Sequence, residues 1–149
     1  MIKKIIAILI AGLATYVAAV VLLSQLNISQ VTSLGFAVSL SQRFAAVLHD
    51  LQGMLTIYLP LILVALLIAF LFTSLLLLRF VYKPAFLFPL AGFVAIVSIH
   101  VILNIVFGVA GIAPTRTMVG LISQGLAGAM GGYIYFKMTH TRRTTNWDR

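Results

Sequence analysis

The sequence predicts an all-α integral membrane protein with four transmembrane helices, and three observations predict it. Of 149 residues, 62% are hydrophobic and only 8% are charged, whereas a soluble domain carries roughly 25% charged residues. The mean hydropathy is +1.18. The charges are confined to short segments between four long uncharged runs. A chain so composed has too little polar surface to cover itself in water. Its length suits a single membrane domain over residues 1–149, with no room for a soluble enzyme domain beside the spans. With no cysteine, disulfides, iron–sulfur ligation and thiol catalysis are excluded.

The first run, Ile5–Leu23, follows Lys3 and Lys4. It is longer than the roughly 7–15 apolar residues of a cleaved signal peptide, so a retained signal anchor is expected. The second, Met54–Leu78, is rich in leucine and ends at Arg79. A third follows Lys83 and Pro84 and covers 85–109, and a fourth covers Thr117–Phe136 and closes at Lys137. Each reaches the roughly 17–25 residues that cross about 30 Å of hydrocarbon. Backbone polar groups in lipid must pair within the segment, so each run is expected to be helical. The two-residue alternation of a membrane β-strand is missing from all four.

Orientation follows from the basic residues. With four spans and the N-terminus inside, Lys3, Lys4, Arg79, Lys83, Lys137, Arg142, Arg143 and Arg149 fall on the inner side, and Arg43 and Arg116 on the outer, eight against two. That bias places both termini in the cytoplasm, as in a bacterial inner membrane. Phe80, Tyr82, Phe86, Tyr133, Tyr135 and Phe136 crowd the same interface. The formal net charge of +8 is thereby explained as an orientation signal, and no nucleic-acid partner is expected. The tail 137–149 is basic and polar and is expected to lie on anionic headgroups.

Between the first two runs, Leu40, Phe44, Val47, Leu48 and Leu51 recur at helical spacing. The reading is an amphipathic helix over about 38–52 on the outer membrane surface, its apolar face against lipid or the bundle. Crossing there would put Arg43 in hydrocarbon, at about 2.5–3.5 kcal/mol. His49 and Asp50 are adjacent on that helix, so they do not face one another and read as solvated surface rather than metal ligands. Asn27-Ile28-Ser29 matches a glycosylation pattern but lies too close to the membrane to serve.

Two sets of residues stand out inside the spans. Gly120, Gln124, Gly128 and Gly132 form one stripe on the fourth run, and Ala7, Ala11, Thr15 and Ala19 a matching one on the first. Small residues let membrane helices approach closely. These stripes are expected to pack the four-helix bundle, or alternatively to dock a second copy or a partner subunit. The second run is bulky all round and is expected to face lipid over much of its surface.

The other set is polar. Counted at about 1.5 Å per residue from the cytoplasmic charges, His100 lies at about 25 Å, Ser98 at about 22 Å, Gln124 at about 20 Å, Tyr16 at about 18 Å and Asn104 at about 31 Å. His100 and Asn104 are four residues apart and share a helix face, which is expected to point toward Gln124 and Tyr16. Two roles compete: hydrogen-bonded packing between helices, and a site for a quinone, lipid or haem. Haem would need His49 to fold back beside His100. A proton-coupled transporter needs a carboxylate in the membrane, and the acids are Asp50 and Asp148 alone, both outside the runs. A pore needs a longer polar stripe than any here. The expected function is a non-enzymatic accessory or assembly subunit that binds no cofactor. The alternative is a small-molecule site around His100, and a holin-like pore or small transporter comes third.

Overall fold

The computed structural model describes residues 2–79, 83–107 and 117–140. Among them the chain is helical, without strands, in five elements: α1 (Ile2–Ser33), α2 (Leu40–Gly53), α3 (Leu55–Arg79), α4 (Pro84–Phe107) and α5 (Met118–His140). Three of these, α1, α3 and α4, are long and apolar enough to cross a membrane. The fourth long helix, α5, is less apolar, diluted by its glycines and Gln124. Phe80, Tyr82, Arg116, the end of the third run at 108–109 and the tail beyond His140 lie outside the described residues.

The first helix runs well past the expected Leu23. Its 32 residues reach about 48 Å, because Ser24–Ser33 offers neither Pro nor Gly to stop it. The stop is Gly35, whose φ of +91° suits a residue without a Cβ; its N–H donates to the Thr32 carbonyl at 3.0 Å. Ser39, extended at φ −69° and ψ 160°, then caps α2. Its N–H donates to Gln42 Oε1 at 2.8 Å, and its hydroxyl accepts from the Gln42 N–H at 3.3 Å. Reciprocal pairing of this kind satisfies two donors that a helix start otherwise leaves open.

A helix is thus present where the amphipathic spacing predicts one, and it does not lie flat across the end of the bundle. Arg43 Nη1 donates to Gln25 Oε1 at 3.2 Å. Eight residues later the Leu51 carbonyl accepts from the Tyr16 hydroxyl, nine residues back along α1. The two contacts make α2 antiparallel to α1. Only Met54 separates it from α3, and there the helical bonding continues, Met54 N–H to the Asp50 carbonyl at 3.0 Å and Tyr58 N–H to the Met54 carbonyl at 2.9 Å. Leu40, Phe44 and Leu48 are left on the outside, Leu40 at 84% exposure.

The four long helices pack side by side. α5 lies against α4 and α1, and α3 closes the other side against α4 and α1, so α3 and α5 face each other across a diagonal. The buried stripe of α3 is Tyr58, Ile62, Leu66 and Phe70, at four-residue spacing. Backbones come closest between α4 and α5. A Cβ on Gly92 would stand 2.1 Å from the Gly128 carbonyl oxygen, and one on Gly132 would stand 2.1 Å from that of Phe88. On the other face of α5, a Cβ on Gly131 would meet Thr15 Oγ1 at 1.9 Å. Gly120, Gly128, Gly132, Ala11 and Thr15 are all buried within the single chain. The small-residue stripes therefore hold this bundle together from inside.

Candidate functional site

The polar residues meet where all four long helices are in reach of one another. Tyr58 on α3 is 4% exposed, His100 on α4 is 5% exposed and Gln124 on α5 is fully buried. The Tyr58 hydroxyl lies 3.0 Å from His100 Nε2 and donates to Gln124 Oε1 at 3.0 Å. Gln124 Nε2 in turn donates to the Ala19 carbonyl of α1 at 3.1 Å. An amide oxygen only accepts, so the single hydroxyl proton of Tyr58 is committed to Gln124. His100 must then present Nε2–H to the Tyr58 oxygen, which fixes its tautomer. One directed chain results, from His100 to Tyr58 to Gln124 to the backbone of α1, and it ties α4, α3, α5 and α1 in that order.

Tyr16 stands beside this chain rather than in it. Its ring lies 6.3 Å from that of Tyr58, and its hydroxyl is turned away to the Leu51 carbonyl. It links the cluster to α2. Two expected members are elsewhere. Asn104 is exposed near the end of α4, not turned inward with His100. Four residues advance a helix by about 400°, a drift of about 40° that turns Asn104 away from the His100 face. Ser98 is half-buried and lines a groove between α3 and α4 on the far side from Gln124. His49 lies exposed on α2 and does not fold back beside His100.

Tyr58 is the residue the sequence reading missed. Tyr58 is a polar side chain close to the outer end of its bulky run, and counted from Arg79 it lies at about 31 Å, level with Asn104 rather than with His100. The depth argument used for the other spans would have brought it to the right end of the bundle but not into the cluster.

What this arrangement does chemically is restrained. Three neutral side chains and one carbonyl satisfy one another, and no charge or carboxylate joins them. Membrane hydrogen bonds of this type contribute on the order of 0.6 kcal/mol each and at most about 1.7. The open volume lies outside the cluster. A groove of about 410 Å³ runs between α3 and α4, floored by Ala65, Ala69, Ala91, Ala95 and Ser98 and walled by Ile68, Phe72, Val94 and Ile102. A second lies between α1 and α5, beside Leu13, Val17 and Met130. No family model, curated protein or solved structure matches the chain.

Proposed function

We propose that this chain is a four-span membrane protein, both termini cytoplasmic, that works as a non-enzymatic accessory subunit by packing one flank against another membrane polypeptide. On this reading α5 is the fourth span, held in the membrane by α1 and α4, and α2 sits at the outer membrane boundary with Leu40, Phe44 and Leu48 toward lipid. Arg43 is sheltered there by Gln25.

The observation that carries the reading is the α3/α4 groove. Ala65 and Ala69 on α3, with Ala91, Ala95 and Ser98 on α4, repeat the small-residue spacing that closes the inner seams, but here it opens outward. Small residues and a hydroxyl on an open flank suit close approach of a further helix, from a second copy or a partner. The polar cluster, by contrast, is mutually satisfied and supports a packing role better than a ligand site.

The natural absence of cysteine makes the test direct. Single cysteines at Val94, in the groove, and at Leu13, on the α1/α5 flank, are introduced and cross-linked in native membranes. Val94→Cys is expected to yield a discrete higher-mass species that Leu13→Cys does not. No species from Val94→Cys, or the same one from both, removes the groove as a docking flank.

A further inference from the structure

At the end of the bundle that carries the start of α1, the end of α3 and the end of α5, a cavity of about 250 Å³ is lined by Lys4, Ser74, Leu77, Leu78, Tyr135 and His140. We infer that this cavity binds the phosphate of an anionic phospholipid.

Three helices line the cavity, and two of them, α1 and α5, supply its donors. Tyr135, which lines the cavity, is 4% exposed, its ring stacked on Phe70 at 4.4 Å and tilted against Phe88 at 5.1 Å. Ser74 on α3 has already donated its proton to the Phe70 carbonyl at 2.7 Å, so it shapes the wall and leaves the donor work to others. Lys4 supplies a positive charge from α1. His140 is positioned by Thr139, whose hydroxyl donates to the Tyr135 carbonyl at 2.7 Å and lies 2.8 Å from His140 Nδ1. With the threonine proton committed, Nδ1 must be the protonated nitrogen of the neutral ring. Nε2 then donates only when the ring takes up a second proton.

Burial, and then the Lys4 ammonium, hold the His140 imidazole below its ordinary value. Among the described residues, Lys4 is the only other charged side chain on the cavity lining, and Tyr135 the only other titratable one. An anion between Lys4 and His140 reverses the repulsion between them. It accepts from the Lys4 ammonium, from the Tyr135 hydroxyl and from the protonated Nε2. Free phosphate and a phospholipid headgroup share that chemistry. The lipid is favoured by the surroundings, because Leu77 and Leu78 also line the cavity and Leu78 is 83% exposed. A diester held at the basic end has an apolar surface beside it for its acyl chains.

The full chain in an uncharged detergent tests this. Phosphatidylglycerol, phosphatidylcholine or sodium phosphate is added, and bound lipid is counted by native mass spectrometry while the His140 ring nitrogens are followed by NMR. One phosphatidylglycerol is expected to remain bound and to move the Nε2 resonance toward the protonated position. Lys4→Gln is expected to weaken retention about tenfold or more, the value of a direct hydrogen bond to a charged group. Tyr135→Phe keeps the ring stack and is expected to weaken it about threefold to tenfold, the value of one hydrogen bond. Lys3→Gln removes the same charge one residue away, outside the cavity, and is expected to change retention less than about twofold. Equal losses from Lys3→Gln and Lys4→Gln would show a diffuse basic surface and overturn the site. Sodium phosphate shifting His140 while phosphatidylglycerol does not would overturn the lipid assignment. Phosphatidylcholine held as tightly as phosphatidylglycerol would overturn the requirement for net negative charge.

Discussion

The two flanks of α4 are built from similar small residues and behave in opposite ways. Toward α5, Gly92 meets Gly128 so closely that a methyl group on either would overlap the other's backbone oxygen. Toward α3, Ala91 and Ala95 face a groove of about 410 Å³. The difference lies in what stands opposite. Glycine facing glycine lets two backbones touch, and dispersion contacts and hydrogen bonds then hold them where lipid supplies no hydrophobic drive. The seam with α3 has alanine on both helices, Ala65 and Ala69 on one side and Ala91 and Ala95 on the other, and it stays open between the bulkier walls. Small residues on both sides of a seam therefore do not close it by themselves; here glycine facing glycine does.

The largest effect that separates the flanks comes from adding bulk to each. Gly92→Ala drives a Cβ into the Gly128 carbonyl, an overlap that neither helix relieves by a rotamer change. A loss of about 1–3 kcal/mol is expected in a detergent unfolding titration, in the range of overpacked cores. Ala91→Leu, one residue away but facing the groove, is expected to change stability by less than about 0.5 kcal/mol, as surface changes do. Comparable losses from the two would erase the contrast. Next in size is the hydrogen-bond chain that crosses the bundle between these flanks. Tyr58→Phe and Gln124→Leu are each expected to cost about 0.6–1.7 kcal/mol. Their double mutant should cost less than the sum, because both remove one shared bond. Strict additivity would mean that the two side chains do not bond. The smallest effect belongs to Tyr16→Phe, which cuts the tie to the Leu51 carbonyl and leaves the ring in place. Bundle stability is expected to fall by about 0.5 kcal/mol, with faster amide exchange confined to α2. Unchanged exchange there would show that α2 is held by Arg43 and Gln25 instead.

The parts of this architecture legible in the sequence are those that depend on composition. Long apolar runs announced helices because lipid leaves the backbone no other way to pair, and the spacing of Leu40, Phe44, Val47 and Leu48 announced α2. Counting turns from the basic residues brought His100 and Gln124 to one level, and the structure joins them through Tyr58. What was not legible depends on facing. In α3 the buried stripe Tyr58–Ile62–Leu66–Phe70 is made of the same residue types as the lipid side, so periodicity carries no signal. The same holds for Gly12, against which Leu63 of α3 packs: an added Cβ would stand 2.3 Å from Leu63 Cδ2. Asn104 was misplaced because sequence distance from His100 fixes a helix face only approximately and says nothing of where the bundle ends. Nor does an apolar run reveal that a helix continues past its own end, as α1 does through Ser24–Ser33.

Gln124 takes as its acceptor the carbonyl of Ala19, a group that belongs to the chain rather than to any side chain. Point mutation at position 19 exchanges what hangs from the Cα and leaves that oxygen where it was. The link between first and last helix is thus half immune to genetic drift: residue 19 is free to vary among small side chains that keep the spacing, while the whole burden of inheritance falls on the glutamine.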